Sequence, residues 1–338
     1  MTINRFWRLD SRPQGQDFAS ALSFQEEGLP PLGDGEVRIR NQYLSMDAGT
    51  RMWMSARTDG YQPPLPLGAK MSGLGVGRIT ESRDKRFPEG ALVRCFGQWA
   101  DYTTVPAEGA SLAVLDESVG DPRHHIGALG MNGWTALVGV RETAAIQPGQ
   151  WMAVSAAAGA TGSLACQIAR NLGAKVLGIA GGPEKTRFLT EKLGVDVAID
   201  YRNQDVSAEL AKIAAVEGGM NAYFDNVGVP LLDEVMPHMA LHGRIAVCGL
   251  VATYDSLTPL PGPAYFDQVL MKRLRIEGFF LPDHLDRADE FFATLRTWVD
   301  EGKLFVPFDE TEGLENVLVG YGRMLTGRNI GKVVIKLA

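Results

Sequence analysis

Cysteine and histidine are scarce in this chain. Its three cysteines, Cys95, Cys166 and Cys248, lie far apart with no C-x-x-C pair, which excludes a disulfide framework and a thiolate zinc site. The five histidines are scattered, and the adjacent pair His124-His125 suits a linker between domains, so no metal site is expected. Long apolar runs are missing: none approaches the length of a membrane helix, and the segment Met-Thr-Ile-Asn-Arg-Phe-Trp7 lacks the apolar core of a signal peptide. A cytoplasmic protein without a membrane partner is the expectation. Excess positive charge is absent too. With 33 Lys+Arg against 40 Asp+Glu the net charge is −7, which argues against nucleic acid as a main partner. The rest is ordinary: 45% hydrophobic and 22% charged residues, in 338 positions that suit two domains rather than one core.

Strand and helix signals alternate regularly from residue 151. Strands are predicted at 151–156, 175–180, 197–200, 221–227, 243–248 and 275–280. Helices fall between them, near 162–172, 183–193, 206–215, 230–239 and 264–272. Pro183 suits a first helical turn and Gly194 a C-terminal cap. Six strands with helical crossovers predict a doubly wound parallel sheet. Before about residue 120 the texture changes to short strands between Gly/Pro turns, at 37–40, 76–79, 91–95 and 100–105, as in a partly closed β-barrel. An amphipathic helix is expected over 286–300. The closing strand signal at 331–336 cannot easily extend a complete six-strand sheet and is assigned to the N-terminal domain. The predicted domains are 1–125, an inserted 126–296 and 297–338, with the active site in a cleft between them.

The most informative stretch is Ala157-Ala-Gly159-Ala-Thr-Gly162, after an apolar strand and opening a helix. It is an imperfect G-x-G-x-x-G fingerprint with alanine at the first glycine. Gly159 would let the backbone approach a pyrophosphate, and Gly162 would let the helix pack closely on the strand. Ala158 and Thr161 belong to the same cofactor loop. After the second strand an NAD enzyme would carry an acid for the ribose 2′-hydroxyl, but Ile179-Ala-Gly-Gly182 offers none. Lys185 stands close by instead and could reach a ribose phosphate, so NADP(H) is the predicted cofactor.

Ordered markers along the chain add to this: Tyr43-Leu-Ser-Met-Asp47, Leu129-Gly-Met-Asn-Gly-Trp-Thr-Ala136, Gly181-Gly-Pro-Glu-Lys185, Ile199-Asp-Tyr201, Tyr223-Phe-Asp-Asn-Val-Gly228, Gly243-Arg-Ile-Ala-Val-Cys-Gly249 and Gly327-Arg-Asn-Ile-Gly-Lys332. Together they resemble the zinc-independent medium-chain dehydrogenase/reductase superfamily, in the branch of prostaglandin reductases and 2-alkenal (enone) reductases. The resemblance implies an α/β fold: a GroES-like β-rich catalytic domain with an inserted doubly wound Rossmann domain. It also implies homodimers that pair the edge strands of the nucleotide domains, here around Leu274–Phe280. Zinc-dependent relatives need an early Cys or His ligand, a Gly-His-Glu segment and four clustered cysteines; this chain has none of these.

By that resemblance Lys185 and the Tyr201 hydroxyl contact the phosphate, Gly181 belongs to the same turn, and Thr135, Asn226, Cys248 and Asn329 line the cofactor site. Asn132 stands where relatives usually have proline. Tyr254, in the loop after the fifth strand, matches the tyrosine placed by the substrate carbonyl. A phenol of pKa about 10 is a good donor at neutral pH and a poor base. Relatives follow Ser-x-Asp with Pro, an aromatic, Met and Arg; here the run is Ala-Gly49-Thr-Arg51, so Gly49 would enlarge a pocket that Arg51, Tyr254, Tyr265 and the segment Pro259–Pro263 also line.

Without a Lewis acid, alcohol oxidation needs another way to stabilise an alkoxide, whereas an activated C=C bond needs only hydride at the β-carbon and donors for the developing enolate. NADPH-dependent reduction of α,β-unsaturated ketones or aldehydes is therefore the expected activity. A quinone reductase is the alternative, followed by a protein that binds NADPH without turnover.

Overall fold

The structure is a computed structural model and describes residues 2–58, 60, 62–108, 112–256 and 262–337. The chain forms two units, one of residues 1–126 with 308–338 and the other of residues 127–307.

In the first unit, β1 (Ile3–Leu9) and β2 (Leu22–Gly28) form a hairpin. The other strands are β3 (Glu36–Ser45), β4 (Ser72–Ser82), β5 (Leu92–Gln98), β6 (Tyr102–Pro106), β7 (Ala113–Val114), β14 (Phe308–Glu312) and β15 (Lys332–Lys336). Their sheet runs β14-β15-β3-β4-β5-β7, with β6 also on β3. All pairs are antiparallel except β14 with β15. The closing strand thus lies inside this sheet, as its sequence suggested. Helix α1 (Thr50–Trp53) follows β3, and α9 (Val317–Leu325) joins β14 to β15. Alternation puts Leu44, Met46, Trp99, Val333 and Ile335 into one core with Leu9 and Tyr321.

The second unit opens with α2 (Met131–Val138) and then alternates. Its elements are β8 (Trp151–Val154), α3 (Ala160–Asn171), β9 (Lys175–Ala180), α4 (Pro183–Glu191), β10 (Val197–Asp200), α5 (Val206–Glu217), β11 (Met220–Asp225), α6 (Leu231–Val235), β12 (Met239–Val247), α7 (Asp267–Met271), β13 (Arg275–Gly278) and α8 (Ala288–Asp300). The sheet order is β10-β9-β8-β11-β12-β13, parallel throughout. This is the doubly wound order of a dinucleotide-binding fold. Both faces are covered, so β8 and β9 are buried almost end to end. The stretch 297–307 groups with this unit, because α8 continues to Asp300 and the Gln167 side chain both donates to and accepts from the Phe305 backbone, at 2.8 and 3.0 Å.

The boundary between α6 and β12 differs from expectation. The helix expected over 230–239 is α6 continued by a 3₁₀ turn to His238, and β12 starts four residues early, at Met239 rather than Gly243. Met239-Ala-Leu has no periodicity to separate helix from strand. The extra length carries an irregularity, with pairing shifting between Met220 and Ala222 and His242 in the left-handed region at φ 62°.

Candidate functional site

Open parallel sheets bind ligands outside the carboxyl ends of the strands, where the strand order reverses. Here that point lies between β8 and β11, and the two ends are tied together. Asn226 donates its backbone N–H to Ser155 Oγ at 2.8 Å and its amide to the Ser155 carbonyl at 2.7 Å. Asp225, completely buried, accepts at Oδ1 from Tyr223 (2.9 Å), Ser155 (3.2 Å) and the N–H groups of Val227 and Gly228 (2.9 Å each). Burial pushes the Tyr223 hydroxyl up, which keeps it a donor. Sequence reasoning marked Asn226 but gave Ser155 and Asp225 no part. Their signal was a short polar residue at each of two neighbouring strand ends.

The turn from β8 into α3 fits a pyrophosphate. Gly159 is the helix N-cap, and no side chain caps the start, which leaves N–H groups of the first turn pointing outward. A Cβ on Gly162 would lie 2.3 Å from the Ala156 carbonyl oxygen, so only glycine allows this approach of helix to turn. The left-handed residue of the turn is Ala156, at φ 47°, a conformation that costs a non-glycine about 1 kcal/mol. Ala157, aligned with the first fingerprint glycine, is fully buried against the sheet, its N–H donating to Ile179. Ala158 is buried beside it. Thr161 Oγ accepts from the Asn132 amide at 3.0 Å, so the residue that departs from the family proline joins α2 to the start of α3. Thr135 is half-buried on α2.

The end of β9 meets the end of β10. Gly181 is buried, and a Cβ there would come within 2.8 Å of both the Tyr201 ring and Arg202 Nε. Lys185 is half-buried in the first turn of α4. Asp200 folds over the Gly182 turn: Oδ1 accepts from Gly182 N–H (2.7 Å) and Arg202 N–H (3.1 Å), and Oδ2 from the Asn203 amide (2.7 Å). Desolvation resists the charged form, but these three donors outweigh it and hold the carboxyl below its ordinary value.

After β12, Tyr254 is half-buried with its oxygen accepting from Leu250 N–H at 3.3 Å. Burial raises its pKa and the Leu250 contact works against the rise, with a net upward shift, so the hydroxyl keeps its proton. Cys248 N–H donates to the Asp225 carbonyl; burial, with Asp225 nearby, pushes its thiol up to about 12, which leaves it inert. Tyr265 is exposed. Residues 259–261 of the expected pocket wall lie outside the described residues.

In the first unit, Gly49 caps α1. Arg51 is buried and donates to the carbonyls of Pro13 and Gly15 at 3.2 Å, so it anchors the 13–15 segment. Asn329 is buried with its amide on the Gly331 carbonyl at 2.8 Å. The two family markers at 43–47 and 327–332 meet: Lys332, 1% exposed, donates to the Met46 carbonyl (3.0 Å) and to Asp47 (2.5 Å), whose other oxygen accepts from Ser45. Sequence reasoning had no role for Lys332. Among the described residues no cluster of His, Cys, Asp and Glu is placed to hold a metal ion, and no helix is long and apolar enough to cross a membrane.

Residues 5–113 match the family described as the N-terminal domain of oxidoreductase, and residues 160–299 match the family described as zinc-binding dehydrogenase. The chain is 36% identical to an NADPH-dependent curcumin reductase of Escherichia coli K12, over 99% of this chain and 97% of that protein. It is 34% identical to an NADP-dependent 2-alkenal reductase of Nicotiana tabacum, over 91% and 89%. The crystal structure of CurA from Vibrio vulnificus in complex with NADPH superposes with a TM-score of 0.91 at 32% identity, over 99% of both chains.

Proposed function

The chain belongs to the zinc-independent branch of the medium-chain dehydrogenase/reductase family, and from that membership we propose that it reduces the C=C bond of α,β-unsaturated ketones or aldehydes. Its cofactor is NADP(H). One observation carries the reading: the uncapped α3 turn, the Gly181 turn and the Tyr254 hydroxyl all stand at the carboxyl edge of one parallel sheet.

Bound NADPH supplies the hydride for the β-carbon. The residues of the chain bind and orient. Ala158, Thr161 and Gly162 present backbone N–H groups to the pyrophosphate, Gly159, whose own N–H goes to the Ala156 carbonyl, lets the backbone come close, and Gly181, Lys185 and Tyr201 form the adenosine end. Thr135, Asn226 and Cys248 line the rest of the cofactor site within the second unit. Tyr254 donates to the substrate carbonyl oxygen as it gains enolate character. Leu250 N–H donates to the phenol oxygen, which leaves the hydroxyl proton to be donated elsewhere, and the raised pKa keeps that proton in place at neutral pH. In the first unit Gly49 leaves room for substrate, and Arg51 holds the 13–15 segment. The enzyme works as a homodimer through β13, the outer strand of the sheet, which exposes Ile276.

The test is NADPH and NADH oxidation against a short 2-alkenal, an aryl enone, a quinone and a saturated ketone. Enone and alkenal turnover with NADPH, without turnover of the ketone, is expected. Turnover of the quinone alone sinks the proposal. In the same assay Tyr254→Phe should lower kcat by about 10²-fold. An unchanged kcat removes Tyr254 from the chemistry.

A further inference from the structure

Two side chains cover Gly181, and the sequence pointed to only one of them. Arg202 Nε, like the Tyr201 ring, would lie 2.8 Å from a Cβ on Gly181, and the Arg202 guanidinium carbon stands 5.9 Å from the centre of the Tyr201 ring. Both residues are exposed. The acid of this corner is turned the other way: Asp200 is 7% exposed, and its two oxygens are occupied by Gly182, Arg202 and Asn203. A ribose diol arriving over Gly181 would find its natural acceptor already engaged, while a phosphate would find an outward cation. Arg202 is hydrogen-bonded to Asp200 through its backbone N–H, and its guanidinium adds only a coulombic attraction to that carboxylate.

We propose that Arg202 is a further determinant of NADPH selection, its guanidinium binding the adenosine 2′-phosphate alongside Lys185 and Tyr201. This rests on the reading that puts the adenosine end at Gly181–Lys185. A guanidinium offers a planar fork that can take two phosphate oxygens at once, which the point charge of a lysine cannot. The glycine is part of the same device, since any side chain at 181 would push both covering groups away.

The test is the calorimetric affinity of the wild type, Arg202→Gln, Arg202→Lys and Lys185→Ala for 2′,5′-ADP and for 5′-ADP. Arg202→Gln should weaken 2′,5′-ADP by about tenfold, the loss of a charge-assisted hydrogen bond, and leave 5′-ADP unchanged. Arg202→Lys should fall between it and the wild type. Equal losses for both nucleotides would make Arg202 a structural residue and overturn the assignment. If Lys185→Ala weakens 2′,5′-ADP and Arg202→Gln does not, the Arg202 assignment fails and the adenosine site stands. If neither substitution matters, the placement of the adenosine end fails with it.

Discussion

A buried charge stands at a strand end in each unit, and the two are satisfied in opposite ways. In the second unit the buried charge is an anion. Asp225 sits at a strand end and is served by four neutral donors, two of them from the next three residues of the chain. In the first unit it is a cation. Lys332 is sealed inside the sheet and answered by Asp47, 285 residues away in sequence and 40% exposed. A carboxylate can be satisfied by local N–H and O–H groups, because a turn supplies donors within a few residues. An ammonium needs acceptors, and here it takes a carboxylate and a carbonyl from a distant strand end.

The comparison can be broken by substitution, with hydrogen exchange reading protection in β3 and β15 separately from β8 and β11. The largest loss should come from Asp47→Ala, which strands a buried cation and should cost about 3–5 kcal/mol, confined to the first unit. Asp225→Asn keeps an acceptor for the four donors but puts an unpartnered amide into the buried position of Oδ2, at a cost of about 1–2 kcal/mol confined to the second unit. Lys332→Met removes the charge and leaves Asp47 to water, so its cost should be nearer 1 kcal/mol. If Lys332→Met is as damaging as Asp47→Ala, the pair is not held by the logic of a buried cation. The smallest effect is a gain: Ala156→Gly relieves the left-handed turn, partly offset by glycine's entropy, for about 0.5 kcal/mol of added stability.

The same contrast explains what the sequence could show. The second unit was legible almost element by element, because its central strands β8 and β9 are largely apolar, its helices lie between the strands and Pro183 and Gly194 mark helix ends. The positions of Gly159, Gly162, Lys185 and Asn226 at strand ends were readable for the same reason, each at a fixed offset from a strand. The first unit was legible as a texture only. Strand β14 reads Phe-Asp-Glu-Thr-Glu, too polar to stand out, and it exists because β15 offers it an edge. Arg51 looked like a pocket residue, while its partners, the Pro13 and Gly15 carbonyls, leave no trace in a linear pattern. Lys332 escaped notice because a buried lysine is rare and its partner lies in another motif. In the second unit, Arg202 escaped notice because an arginine in a polar turn looks like solvated surface, and its place over Gly181 leaves no trace in a linear pattern.

The place of β15 between β14 and β3 has a consequence for biosynthesis. Residues 127–307 are contiguous and can fold as they leave the ribosome. The sheet of the first unit must wait, its β3 paired to β6 over Glu36–Arg40 but open at Tyr43–Ser45, until a strand made 285 residues after Asp47 arrives to seal it. Translation arrested before Lys332 would therefore release a chain with a finished nucleotide-binding unit and an open, aggregation-prone β-edge, a species that quality control rather than catalysis would encounter first.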